Sequence, residues 1–273
     1  MKLKSLIPGF GKKQSENSAV PPREKHVTLS DTKDKAGWLS PAYSRSRAVT
    51  LDPNVLAANR CVAMFPASPE GEFYKVLRSR ILHRTQDQER RAIMITSAVP
   101  GEGKTTTAIN LALAFAKEFE QTVLLVDCDL RRQCIHEVMG YESDCGLLDH
   151  LLDGTPVPDL VVWPGIEKLT VISGGRTILE SSEVLASPRM RELAANMKAR
   201  YPDRYMFFDV PPVLAGADAM AFTPLVDWII MVVEAGKTPL PEVNRALQML
   251  PREKVLGLIL NRQTSQVKAY PYQ

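Results

Sequence analysis

Between residues 92 and 116 the chain passes from a short apolar stretch, "AIMITSA", through "VPGEGKTTT" into a second apolar stretch, "AINLALAFA". Few local patterns restrict a fold as strongly. A loop that wraps a chain of phosphates must turn its backbone N–H groups inward. It therefore needs residues that tolerate left-handed dihedrals, and Gly101 and Gly103 supply that freedom. A helix opening directly behind the loop adds unpaired N–H donors and positive potential. Lys104 can reach the outer phosphates as a point charge, and Thr105 can set its hydroxyl on Mg²⁺. The segment fits the P-loop pattern, with Ala98 where glycine is commoner, and it stands between a predicted strand and a predicted helix, as that pattern requires. Pro100, Gly101, Glu102, Gly103, Lys104, Thr105 and Thr106 are the expected nucleotide-binding residues.

The remaining pattern supports the same fold class. "RAIMITSA", "TVLLVDCD", "LTVIS", "RYMFFDVPP", "DWIIMVVEAG" and "VLGLILNR" read as strands, and several are apolar throughout rather than alternating. Such runs indicate burial on both faces, as in a parallel sheet covered by helices. Helices are expected at "EGEFYKVLRSRILHR", from Lys104 to Phe119, and at "SPRMRELAANMKARY", where Ser187 and Pro188 suit a helix start. The expectation is an α/β P-loop NTPase fold, with a mostly parallel sheet flanked by helices. Residues 1–69 are set apart as a flexible, basic N-terminal segment, 70–265 as the domain and 266–273 as a C-terminal tail. The first 25 residues carry six Lys or Arg against two Glu. That balance suits a solvated linker, the simpler reading, or an anionic surface.

Bulk properties narrow the class further. A length of 273 residues with 45% hydrophobic and 24% charged residues allows a full core, and a net charge of +3 gives no reason to expect nucleic acid. The four cysteines include no Cys-x-x-Cys pair, which argues against a zinc site and suits a reducing cytoplasm. No apolar run approaches the roughly 18–20 residues that cross a bilayer, so a soluble, cytoplasmic protein is expected.

Three acids end predicted strands. Asp209 closes "YMFFDV", where a buried parallel strand delivers its last side chain to the crevice used by nucleotides. Asp127 and Asp129 are separated by one residue, so in a strand both point to one side. A cation between them would relieve their repulsion and leave one carboxylate free to accept a proton. The alternative is a surface turn in which Arg131 and Arg132 pair with these acids. Asp209 and Thr105 are the expected metal-positioning residues. Asp127 is the candidate base and Asp129 a metal or water ligand, with the last two roles exchangeable. Lys104 is expected to neutralise the charge developing on a transferred phosphoryl group.

These motifs together resemble the bacterial tyrosine kinases, P-loop enzymes that accompany capsular and exopolysaccharide synthesis. "SAVPGEGKTT" is similar to their Walker A segment and "VLLVDCDLRRQCIHEVMG" to their Walker A′ segment. "YMFFDVPP" is similar to their Walker B segment, with Val210 where Thr is frequent. The likeness spans about residues 70–273. It implies autophosphorylation by ATP and Mg²⁺ on C-terminal tyrosines, here Tyr270 and Tyr272. It also implies assembly of a homo-oligomeric ring, reversal by a tyrosine phosphatase, and control by a membrane protein that sets polysaccharide chain length. With no span in this sequence, that adaptor is expected to be a separate protein that recruits the chain to the inner membrane face.

The family's ring helix carries Glu-x-x-Arg-x-x-Arg; here the positions are Glu72, Lys75 and Arg78, and Lys lacks the bidentate fork of Arg. The tail is thin, with Pro271 between two tyrosines, so an end with incidental tyrosines is the alternative to a phosphoacceptor. Asn261 and Arg262 are placed either on the adenine side of the nucleotide or as strand-end caps. Two rival functions are a switch ATPase resembling the partition and septum-positioning proteins, and a nucleotide-binding scaffold with little transfer activity. The first expects an early P-loop lysine, where this chain has Val99.

Overall fold

The computed structural model describes residues 46–85, 91–200 and 203–263. In chain order these form β1 (Arg47–Ala48), α1 (Pro53–Ala58), α2 (Pro69–Thr85), β2 (Ala92–Ser97), α3 (Lys104–Phe115), β3 (Thr122–Asp127), α4 (Ile135–Met139), α5 (Leu147–Asp153), α6 (Val157–Leu160), β4 (Val161–Trp163), β5 (Leu169–Ile172), α7 (Ser181–Leu185), α8 (Pro188–Arg200), β6 (Arg204–Asp209), α9 (Asp218–Phe222), β7 (Trp228–Glu234), α10 (Leu240–Met249) and β8 (Val255–Asn261).

The eight strands make one sheet in the order β1-β4-β5-β3-β6-β2-β7-β8. Every pairing is parallel except β4 with β5. The strands expected to be buried on both faces are so: β2 and β3 have no exposed residue. One apolar layer, including Ile109, Leu113 and Phe115 of α3, covers one face; another, including Met190, Leu193 and Phe222, covers the other. This is the P-loop α/β architecture that the sequence indicates. Its site-forming feature is register. Asp127 and Asp209 are paired across β3 and β6, and Asp209 is paired with Ile95 of β2. The ends of β3 and β6 therefore open at one level beside β2, which runs two residues further into the loop that leads to α3.

The fold begins before residue 70. Within the segment assigned to the flexible N-terminus, residues 46–69 supply β1, α1 and the start of α2, and they bury Leu56, Cys61 and Ala63. Asp52 caps α1 by accepting from the Asn54 amide at 2.8 Å, and Pro53 follows in the first turn. Asn110 on α3, fully buried, holds this segment: its Oδ1 accepts from Ala63 N at 2.8 Å and its Nδ2 donates to Arg60 O at 2.9 Å. A strand of two residues and a helix of six have too little periodicity to be read from sequence. Residues 1–45 and the 266–273 tail lie outside the described residues.

Helix α3 stops at Phe115, four residues before the expected Phe119. Beyond it the chain tightens into turns, with Lys117 N on Ala114 O and Glu118 N on Phe115 O. Arg78 Nη1 donates to Ala114 O in the last helical turn at 2.9 Å, and the buried Lys168 donates to Glu118 O just past it. Cations at a helix C-terminus satisfy orphan carbonyls and the negative end of the dipole.

Candidate active site

The loop from Val99 to Gly103 has the geometry that a phosphate cradle needs. Gly101 and Gly103 adopt φ values of +88° and +89°, where a side chain would be strained. At Gly103 there is a second reason for glycine, because a Cβ would lie 2.2 Å from Asn261 Nδ2. Pro100 and Gly101 are exposed at the loop tip, and α3 begins directly at Lys104. Glu102 behaves differently from its neighbours. The residue is 1% exposed, and its carboxylate is turned into the protein toward Val99, Glu234 and Thr238.

Lys104 Nζ stands 2.8 Å from Asp129 Oδ2 and 3.3 Å from Asp209 Oδ1. Thr105 Oγ1 donates to Asp209 Oδ2 at 2.5 Å. P-loop cation, P-loop hydroxyl and two of the three strand-end acids thus meet at one point. Burial would lower the Lys104 ammonium's proton affinity, but Asp209 and Asp129 outweigh it and hold the pKa above the ordinary value. Burial drives Asp209 upward, against the pull of Lys104 and the Thr105 hydroxyl.

Asp127 is fully buried and accepts three backbone amides: Asp129 N on Oδ1 at 3.1 Å, and Cys134 N and Ile135 N on Oδ2, each at 3.0 Å. It therefore anchors the turn that carries Asp129. A carboxylate has about four acceptor sites, so one on Oδ1 stays free. Burial, followed by the Asp209 charge, pushes its carboxyl up to about 7, against these amides and Lys104. Asp129 accepts Arg132 N on Oδ1 at 3.1 Å and keeps Oδ2 for Lys104.

Arg131 does not pair with these acids, which removes the surface-turn alternative for it. Its Nε donates to Ser181 Oγ at 2.7 Å and its Nη2 lies 3.3 Å from buried Asp218. Among the described residues no group of three His, Cys, Asp or Glu side chains is arranged to hold a metal ion by itself.

The other expected site residues make contacts of their own. Asn261 Nδ2 donates to Glu102 O at 2.8 Å, so its amide packs on the P-loop. Arg262 adopts φ +56° and pairs with Glu234 at 3.2 Å. On α2, Glu72 and Lys75 form a surface pair at 2.5 Å. Arg78 does not share that face: Nε lies 2.5 Å from Glu118 Oε1 and its side chain is 18% exposed. A step of three residues falls short of a full helical turn, so two steps rotate Arg78 by about 120° from Glu72, toward α3. Sequence reading missed the amides of Cys134 and Ile135, the Cys134 thiol 3.5 Å from Thr105 Oγ1, and the Glu102 contacts to Glu234 and Thr238. A glutamate in an otherwise exposed loop was the available signal for the last of these.

The sequence matches the AAA domain family over residues 90–252. It is 34% identical over 234 residues to tyrosine-protein kinase YwqD of Bacillus subtilis (strain 168), which covers 85% of this chain and 95% of that protein. The solved kinase domain of Escherichia coli tyrosine kinase ETK is 25% identical and superposes with a TM-score of 0.70, covering 90% of this chain and 100% of that one. The septum site-determining protein MinD of Pyrococcus horikoshii OT3, solved with Mg-ADP, is 28% identical. Its TM-score is 0.52, and the match covers 64% of this chain and 72% of that one. Fold and site define a P-loop nucleotide-binding protein, and the chain belongs within that class to the bacterial tyrosine kinases.

Proposed function

We propose that this protein transfers the γ-phosphate of ATP to tyrosine hydroxyls, its own Tyr270 and Tyr272 among them, and so regulates exopolysaccharide synthesis, chain length or export. The observation that carries the reading is the meeting of Lys104, Thr105, Asp129 and Asp209 beneath a loop held open by two left-handed glycines.

The residues present fit a magnesium nucleotide. Backbone amides of residues 101–106 would hold the phosphates. Thr105 and Asp209 would hold Mg²⁺, with Asp129 positioning its water, and the bound ion would supply charge neutralisation across the β- and γ-phosphates. Lys104 would exchange its carboxylate partners for phosphate oxygens and stabilise the charge that grows on the transferred group. The free acceptor site on Asp127 Oδ1 would take the tyrosine proton, a role that a carboxyl pushed to about 7 can fill near neutral pH.

Tyr270 and Tyr272 would enter a neighbouring subunit's site as phosphoacceptors. Once phosphorylated, each carries about −1.5 to −2 charge, which the acids and nucleotide repel, loosening the ring. No helix among the described residues is long and apolar enough to cross a membrane. Recruitment to the cytoplasmic membrane face would use a separate chain-length adaptor, and a tyrosine phosphatase would reset the ring. For the ring itself, Glu72 and Lys75 are the available α2 contacts.

The test is incubation of purified protein with ATP and Mg²⁺, followed by phosphotyrosine and free-phosphate assays. Phosphotyrosine on the tail is the expected result. Phosphate release without phosphotyrosine overturns the proposal in favour of a switch ATPase. Nucleotide binding with neither product, even with the adaptor added, overturns it in favour of a scaffold.

A further inference from the structure

A loop whose two glycines sample left-handed backbone has little stiffness of its own. Something else must fix the direction of its amides, and Glu102 lies between the two glycines with its side chain pointing away from the cradle. Four donors converge on this one residue. Glu102 Oε2 accepts from Val99 N at 2.8 Å, which closes the loop on its own entry. Oε1 accepts from Glu234 N at 3.0 Å and from the Thr238 hydroxyl. The backbone carbonyl accepts from Asn261 Nδ2 at 2.8 Å. The three outside donors come from the end of β7, the turn behind it, and the end of β8.

That turn is itself fixed. Lys237 N and Thr238 N both donate to Glu234 O, at 3.3 and 3.2 Å, and Gly236 takes φ +73° to allow it. The Thr238 hydroxyl is thus presented from a closed turn to a carboxylate 136 residues away in sequence.

We propose that Thr238 and Glu102 form a brace that sets the phosphate-binding geometry of the P-loop, which makes Thr238 a positioning residue for the nucleotide. This rests on the nucleotide reading above and extends it to a residue that touches neither nucleotide nor substrate. The brace holds amides that face the phosphates before and during transfer alike. Its loss therefore falls on affinity rather than on the chemical step.

The experiment measures ADP affinity by calorimetry with Mg²⁺, and KM and kcat for ATP, in Thr238→Val, Thr238→Ser and Glu102→Ala. Valine keeps the shape and removes the hydroxyl; serine keeps the hydroxyl. Thr238→Val is expected to raise the ADP Kd about tenfold, the scale of one lost hydrogen bond to a charged group. KM should rise in step while kcat changes less than threefold. Thr238→Ser should restore affinity, and Glu102→Ala, which removes the acceptor, combined with Thr238→Val should be no weaker than Glu102→Ala alone. Thr238→Ala substitutes for the valine variant if the latter does not fold. Wild-type ADP affinity in folded Thr238→Val or Thr238→Ala overturns the brace. Absence of ADP binding by the wild type instead overturns the nucleotide reading and the brace with it.

Discussion

Arg78 offers a quantitative test, because two roles for it predict different phenotypes. As a ring contact it would be dispensable to the isolated subunit. In the structure it clamps α2 to the C-terminal end of α3 through Glu118 Oε1 at 2.5 Å and Ala114 O at 2.9 Å. Both partners of the ion pair are largely shielded, at 18% and 26% exposure, so the pair exceeds an open surface bridge; about 1 kcal/mol is reasonable. The bond to a helix-terminal carbonyl adds about 0.5–1.5 kcal/mol. Arg78→Ala should therefore cost about 1.5–2.5 kcal/mol. At roughly 2–4 °C per kcal/mol for a domain of this size, Tm should fall by about 3–10 °C. Glu72→Ala removes only an exposed i,i+3 pair worth about 0.2–0.5 kcal/mol and should shift Tm by less than about 2 °C. Thermal unfolding of dilute protein reads both, and a cycle with Glu118→Gln isolates the pair. A Tm for Arg78→Ala within 1 °C of wild type would refute the clamp and return Arg78 to the surface.

Asp127→Asn should slow phosphotyrosine formation by about 10²–10⁴ while changing ATP affinity far less, because a base acts in the transition state; equal losses in single-turnover rate and in Kd would make it chiefly a metal ligand. Asn110→Ala strands the Ala63 amide and frees the residue 60–63 segment from α3, so it should cost about 1–3 kcal/mol in a denaturant titration. An unchanged midpoint would show that this segment does not depend on the buried amide. Tyr270→Phe with Tyr272→Phe should remove most autophosphorylation and the ATP-driven fall in particle size seen by light scattering. Phosphate mainly on Tyr43, Tyr74, Tyr141, Tyr201 or Tyr205, with no size change, would contradict the tail model.

What the sequence revealed tracks with how local each signal is. The P-loop and the strand ends at Asp127 and Asp209 are contiguous patterns, and the register of three buried strands brings them together. The residue 46–69 segment was illegible because its order comes from Asn110 and from buried Leu56 and Cys61, not from any repeat of its own. The resemblance to the family's ring helix groups Arg78 with Glu72 and Lys75; helical rotation turns it toward Glu118. In the sequence Asn261 reads either as a neighbour of the adenine or as a strand-end cap, and Glu102 as part of the nucleotide loop. Their side chains support that loop through partners more than a hundred residues away that no local pattern discloses.

The central claim is that the P-loop serves transfer to tyrosine, and Lys104→Met tests it most directly. Methionine retains length and bulk while removing the cation that joins Asp129 and Asp209 at the loop. The measurement is time-resolved phosphotyrosine mass spectrometry of wild type and Lys104→Met after mixing with ATP and Mg²⁺, with circular dichroism to establish that the variant is folded. The account predicts phosphate accumulating on Tyr270 and Tyr272 in the wild type and none in the variant. A folded Lys104→Met protein that autophosphorylates at the wild-type rate would contradict it.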